Sequence, residues 1–271
     1  MITTLDQLID AMANASESIV ISKASIATQA AGGFSSLWRA TGTPGQGAIP
    51  GAAAVCTKSL LGALKDFANA GGGESVYLGR LFLLSGNSAT DVQLHDRLAH
   101  MGGLSGTVTA AQTVNLSVAS LIGSRCNADC QGVQWWIEQY TDIGTTAVSA
   151  TVTYTDANDV GSKTVSVGIG GASPLNQDSR MFLIPDPADG VAIKSIQTIQ
   201  HATTGTAGNY GITATKAIGG LSLGLANNGS VADWASLGLP KVPNDACIFP
   251  IVICGTTSTG TLYGNAKLIT G

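Results

Sequence analysis

Two of the three histidines fall in the stretch LHDRLAHMGGLSG, residues 94–106, beside an aspartate, an arginine and a glycine pair. Histidine with Asp or Arg nearby is the raw material of proton transfer and, with further ligands, of metal binding. The spacing argues against both. On a strand, His95 and Arg97 face one side, while Leu94, Asp96, Leu98 and His100 face the other. The two histidines then share no metal unless a bulge intervenes, and five-residue spacing on a helix serves them no better. Asp96 and Arg97 are expected to partner polar groups at a sheet edge. Gly102 and Gly103 are expected to supply the sharp turn that ends the strand.

Other chemical motifs fail on context. Gly220–Gly224, GLSLG, matches a nucleophile elbow by letters, yet no helix start follows Ser222 and all three histidines (His95, His100 and His201) precede it. The glycines that cradle phosphates are missing before Lys58 in VCTKS. Glu17, Glu74 and Glu138 lie in different regions, so no pair of glutamates is convincing. PDPADG, around Asp186 and Asp189, lacks the alternating oxygen ligands and closing Glu of a calcium loop and reads as a turn. The five cysteines, Cys56, Cys126, Cys130, Cys247 and Cys254, leave at least one unpaired. Buried free thiols are the default, a Cys126–Cys130 bridge across CNADC stays open, and no second pair completes a zinc site. No catalytic residue, cofactor or metal site is assigned, and the chain reads as a non-enzyme.

The elements around these residues carry few charges. Charged residues are 11% of 271, against about 25% in ordinary soluble domains, with 35 glycines and a mean hydropathy of +0.27. A membrane helix needs about 20 predominantly apolar residues. The longest charge-free run, between Arg97 and Arg125, is interrupted by Thr, Ser, Gln and Asn. The start, MITTLDQLID, is acidic and lacks the basic region of a signal peptide. A soluble chain outside the membrane is therefore expected. The net charge of −4 and the lack of basic clusters argue against direct nucleic-acid binding. A surface so poor in charge is easier to keep soluble when neighbours cover much of it, which points to a subunit of an assembly.

Leu5, Leu8, Ile9 and Met12 fall at helical spacing and predict one short amphipathic helix. The segment after it is broken by Gly32, Gly33, Pro44, Gly45, Gly47 and Pro50, yet carries Phe34, Leu37, Trp38, Ile49 and Val55. That is too many apolar anchors for a solvated linker. It reads as an extended arm, lying on its own domain or on an adjacent subunit, with those five residues as candidate partner contacts. From about Ser75 the pattern alternates with period two, giving ten or eleven strands and no intervening helices. TDANDVGSK reads as a hairpin loop, and Pro250 is expected at an edge or a bulge. The fold class is mainly β, an antiparallel β-sandwich or jelly-roll with an N-terminal helix and arm (1–74) followed by the β domain (75–271).

The layout resembles virion structural proteins of tailed bacteriophages, in particular β-sandwich capsid cement (decoration) proteins. The likeness runs through LWRATGTPGQGAIPGAAAVCT, VYLGRLFLLSG, LHDRLAHMGGLSGT, VQWWIEQYTDIGTTAVSATVTYTD, GLPKVPNDACI and STGTLYGNAKLI, and it covers most of the chain. The resemblance implies a homo-oligomer, a trimer by preference, on the capsid exterior. It would be assembled in the host cytoplasm and would tie major capsid protein subunits together. A tail or connector subunit would use the same arm and strands. A receptor- or carbohydrate-binding sandwich could use Trp135, Trp136 and Tyr140 as a platform, although period two puts the two tryptophans on opposite faces. An enzyme on a sandwich scaffold has only the failed motifs behind it.

Overall fold

The computed structural model describes residues 2–14, 18–205 and 207–271; Glu17 lies outside them. Helix α1 spans Leu5–Asn14. Thr4 and Gln7 cap it reciprocally, the Gln7 amide N–H donating to Thr4 Oγ1 and the Thr4 N–H to Gln7 Oε1, both at 3.2 Å. The arm supplies β1 (Ser18–Lys23), β2 (Phe34–Ser36), β3 (Gly42–Thr43) and β4 (Ala54–Val55). Then come β5 (Val76–Ser85), β6 (Thr90–Ser105), β7 (Gln112–Ser117), β8 (Val133–Gln139), β9 (Val148–Asp156) and β10 (Lys163–Ile169). The chain continues through β11 (Met181–Leu183), β12 (Ile193–His201), β13 (Asn209–Leu223) and β14 (Ser230–Asp233). A single-turn helix α2 (Trp234–Leu237) precedes β15 (Lys241–Val242), β16 (Ile248–Ile253) and β17 (Leu262–Thr270).

These strands form three antiparallel sheets, so the mainly β, sandwich-like expectation holds. The seven-stranded sheet runs β11–β8–β13–β6–β16–β2, with β4 also paired to β6. The six-stranded sheet runs β14–β5–β17–β1–β3 with β15 on β5, and the four-stranded sheet runs β10–β9–β12–β7. Alternation decides what each face meets. One face of the seven-stranded sheet buries Trp135, Ile137, Ile212 and Ala214 against Val152, Ile196 and Ile199 of the four-stranded sheet. Further along, Val92, Leu94, Ile248 and Val252 of that face join Ile19, Ile21, Leu81 and Leu83 of the six-stranded sheet. The opposite face carries Trp136, Phe249 and Ile251, and the arm covers it with Trp38, Cys56 and Ala63.

Four expectations change. The arm is built into the sheets: β1 lies between β17 and β3, β2 extends β16, and β4 pairs with β6. Residue 74 therefore divides no core from another. After Ser75 thirteen strands stand among the described residues, against the ten or eleven expected there, and four more lie in the arm. The two not expected, β14 and β15, are four and two residues long, too short to show a period. MGGLSG is not a turn, because β6 continues to Ser105. The glycine pair instead makes room at a register shift between Tyr210 and Ile212. A side chain at Gly102 would come 2.3 Å from the Pro50 carbonyl oxygen, and Gly103 has φ +81°.

Pro250 lies on an interior strand rather than at an edge or a bulge. Its carbonyl accepts from the Leu37 N–H at 3.1 Å, on the side of the short strand β2. The missing N–H faces that same side, where the β2 ladder stops at the Ser36–Ile251 pair. No strand hydrogen bond is lost.

Candidate functional site

The chemistry-bearing residues of β6 are gathered by a bulge. Opposite β13, Arg97 pairs with Thr215 and Ala99 with Ala214, which leaves Leu98 as the extra residue. Inserting one residue reverses the alternation, so His95, Arg97 and His100 share one face. Simple period two separated them.

Arg97 is fully buried at the centre of this face. Its Nη2 donates to Glu138 Oε2 at 2.7 Å, to the Tyr140 hydroxyl at 2.9 Å and to Thr213 Oγ1 at 3.1 Å. Its Nε donates to His100 Nδ1 at 3.0 Å. The Thr213 and Tyr140 hydroxyls donate to the same Glu138 oxygen, at 2.6 and 3.2 Å. Burial pushes the Glu138 carboxyl up, but the adjacent Arg97 charge and hydrogen bonds hold it below the usual carboxylate range. Burial alone would lower the Arg97 pKa, and Glu138 reverses that. Both groups stay charged.

His95 belongs to a separate neutral chain. Trp136 Nε1 donates to Thr215 Oγ1 at 2.8 Å, and Thr215 contacts His95 Nδ1 at 3.1 Å. His95 Nε2 faces Gln93 Oε1 at 3.1 Å, an oxygen that can only accept. The ring proton therefore sits on Nε2. Burial lowers His95 to about 4, so it is neutral at pH 7.

The arm closes over this face. Trp38 stacks on the Arg97 guanidinium at 4.5 Å and meets His100 and Phe249 edge-on at 5.9 and 6.0 Å. Its Nε1 donates to the Ala48 carbonyl at 2.9 Å. Gly47 and Gly62 lie against the indole, where added side chains would come within 2.2 and 2.6 Å of ring atoms. On the other face of β6, Arg125 binds the Asp96 carboxylate through Nε and Nη2 and also reaches the carbonyls of Cys56 and Arg97. Asp96 in turn accepts the Cys247 N–H at 2.8 Å.

The five arm residues singled out from sequence therefore have different surroundings. Leu37 and Trp38 are buried in their own chain and have no surface to offer a partner. Phe34 is partly buried, its ring 5.0 Å from that of Trp136, and Ile49 is half-buried. Val55 is 42% exposed. Trp135, Trp136 and Tyr140 are all buried, in cores on opposite faces of the sheet or in the Arg97 cluster. That removes the binding platform.

The remaining motifs resolve locally. Ser222 lies within β13 and donates to Asp91 at 2.8 Å. Asp189 pairs with Lys163, and the hairpin loop between β9 and β10 forms with Asp156 accepting the Asn158 and Val160 N–H groups. All five cysteines, Cys126 and Cys130 among them, are buried free thiols. Among the described residues no three His, Cys, Asp or Glu side chains converge to hold a metal, and no helix is long and apolar enough to cross a membrane. With Arg97 and Glu138 shut off from solvent, what the cluster can do is fix the register of arm and sheet. Sequence reading missed Glu138, Arg125, Cys56 and Cys247 because their partners are remote in the chain.

The exposed chemistry is apolar. Cross-strand pairs place Val20, Tyr263, Leu84, Phe82 and Val231 on the outer face of the six-stranded sheet. Val20, Tyr263 and Val231 are 56%, 46% and 52% exposed, and Leu61, beside Val20, is 60% exposed. Helix α1 covers only part of this sheet, packing on β17 and Gly79 with Leu8 and Met12 and leaving Leu5 and Ile9 exposed.

No family model and no curated protein matches the sequence. Solved structures with some likeness include a subviral particle of infectious bursal disease virus VP2. It is 12% identical over 94% of this chain and 79% of that chain, with a TM-score of 0.21. T=1 particles derived from the same virus are 11% identical over 94% and 76% of the two chains, with a TM-score of 0.18. Superpositions this loose carry no assignment of fold or role.

Proposed function

We propose that the chain is a structural subunit of a virus particle, specifically a cement protein that binds the head exterior and ties major capsid subunits together. The observation that carries this reading is the outer face of the six-stranded sheet, where Val20, Val231 and Tyr263 are exposed beside the partly buried Phe82 and Leu84, with Ser22 and Asn265 between them. Exposed large apolar side chains on one sheet face, in a chain with 11% charged residues, are what a neighbour in an assembly would cover. The choice of a head protein rests on the resemblance of the sequence to capsid cement proteins; a tail subunit would use the same arm and strands. The half-exposed Val55 adds one arm contact; most of the arm's apolar mass is already used inside the chain.

Cross-linking of purified particles tests this. Lys65 sits beside Val20 and Leu61, and Lys241 is exposed, whereas Lys23 is buried with its Nζ on the carbonyls of Ala40, Pro44 and Gly45. Links from Lys65 to the major capsid protein are expected, and the double variant V20D/Y263D should fold but fail to load onto heads. Links only to tail components would replace the cement reading with a tail subunit. Links confined to the chain itself would end the assembly reading.

A further inference from the structure

We infer that Cys56 and Cys247 are a disulfide-forming pair that covalently fastens the arm to β16. The placement follows from strand pairing. Strands β4 and β16 both pair with the same edge of β6 and run head to tail along it, β4 ending opposite Ala99 and β16 starting opposite Asp96. The gap between them is filled by the two cysteines. Arg97 N–H donates to the Cys247 carbonyl at 2.9 Å, and the Cys56 N–H donates to the Leu98 carbonyl at 3.0 Å. Adjacent residues of β6 thus hold the two cysteine backbones side by side.

Arg125 and Asp96 clasp the same junction, the guanidinium on the Cys56 carbonyl and the carboxylate on the Cys247 N–H. Both side chains point into one cluster, with Trp38 and Phe249, and are wholly buried. Their thiols interact electrostatically with each other. A disulfide needs neighbouring backbone positions with side chains directed at one another, which is what this junction supplies. Cys254 instead contacts Ser35 at 3.5 Å.

In the closed fold the surroundings also distinguish the two thiols. Burial pushes the Cys56 thiol up, but hydrogen bonds with Cys247 and His100 and the nearby Arg97 charge pull it down. Burial, and then Cys56 itself, raise Cys247 well above its usual value. These contacts exist only with the arm closed; once it lifts, either thiolate can attack, and the exchange balances the same way from Cys56 or Cys247. With oxidised glutathione as oxidant, and starting from Cys56, its sulfur displaces one glutathione thiolate and forms a mixed disulfide. Cys247 then gives up its proton and attacks the Cys56 sulfur, expelling the second glutathione. Two protein thiols are oxidised and one glutathione disulfide is reduced to two thiols. Since both sulfurs are shielded by the closed arm, the first exchange takes place with the arm lifted, and closure delivers Cys247.

The pairing is independent of what the chain assembles with. The full-length protein is treated with oxidised glutathione, once in sub-denaturing urea and once during refolding. It is then denatured, alkylated and mapped by mass spectrometry. The expected result is three alkylated cysteines of the five and a Cys56–Cys247 linked peptide, with C56S and C247S each abolishing that peptide. Five alkylated thiols in both treatments would overturn the pairing. So would a Cys126–Cys130 link with Cys56 and Cys247 both alkylated, or glutathione retained on Cys56.

Discussion

Arg97 on β6 and Glu138 on β8 lie 2.7 Å apart across the intervening strand β13, and neither side chain has any exposure. Two charges out of water hold only as a pair. Replacing either one alone, R97M or E138M, leaves its partner charged in an apolar site and is expected to cost about 3–5 kcal/mol. The double variant R97M/E138M is expected to lose less than the sum of the two. Urea unfolding midpoints of the four proteins check this.

The neutral His95 makes stability depend on acidity. Its folded value of about 4 lies below the ordinary 6.5, so between those values the unfolded chain binds the proton and the folded chain does not. The contribution is complete above pH 6.5 and is lost progressively as pH falls to about 4, by up to about 3 kcal/mol. His95→Gln keeps polar contacts to Thr215 and Gln93 and removes the titration. The stability difference between wild type and H95Q, measured from pH 7.5 to 4, should shift in favour of H95Q as the pH drops.

Two arm residues of similar sequence character should respond oppositely to truncation. Trp38→Ala empties the space between Arg97, His100 and Phe249 and is expected to cost about 3–5 kcal/mol. Val55→Ala trims a side chain that is 42% exposed and should stay within about 0.5 kcal/mol of wild type. Thermal unfolding of both variants is the measurement.

Glycines under the same indole give a finer comparison. Gly47→Ala and Gly62→Ala would drive a methyl into Trp38, and the ring cannot retreat from the Arg97 and Phe249 behind it. Each is expected to destabilise by about 1–3 kcal/mol. Gly51→Ala adds its methyl to open space and is expected to be neutral or slightly stabilising. Equal effects at all three positions would contradict the packing described.

How much of this was legible varies with sequence range. The period-two runs from VYLGRLFLLSG to TLYGNAKLITG correspond to real strands, because alternation records which side of a sheet is dry. Helix α1 was readable from its stripe, although Leu5 and Ile9 stay exposed. The two- and three-residue strands of the arm were not readable, since their pairing depends on sheet edges supplied by distant residues. The arm anchors were recognisable as apolar; which of them face inward was not.

The sequence by itself determined a mainly β chain, a helix at its start, an arm that cannot stand in solvent and a surface short of charge. Composition and local period suffice for these, because they express the partition of side chains between water and core. Tertiary structure alone decided that Leu98 bulges and turns His100 to the face of Arg97. It also decided that Glu138 neutralises that arginine and that Cys56 meets Cys247 beside it. Each is a contact between segments far apart in the chain, and its register is set by strand pairing that no local pattern encodes.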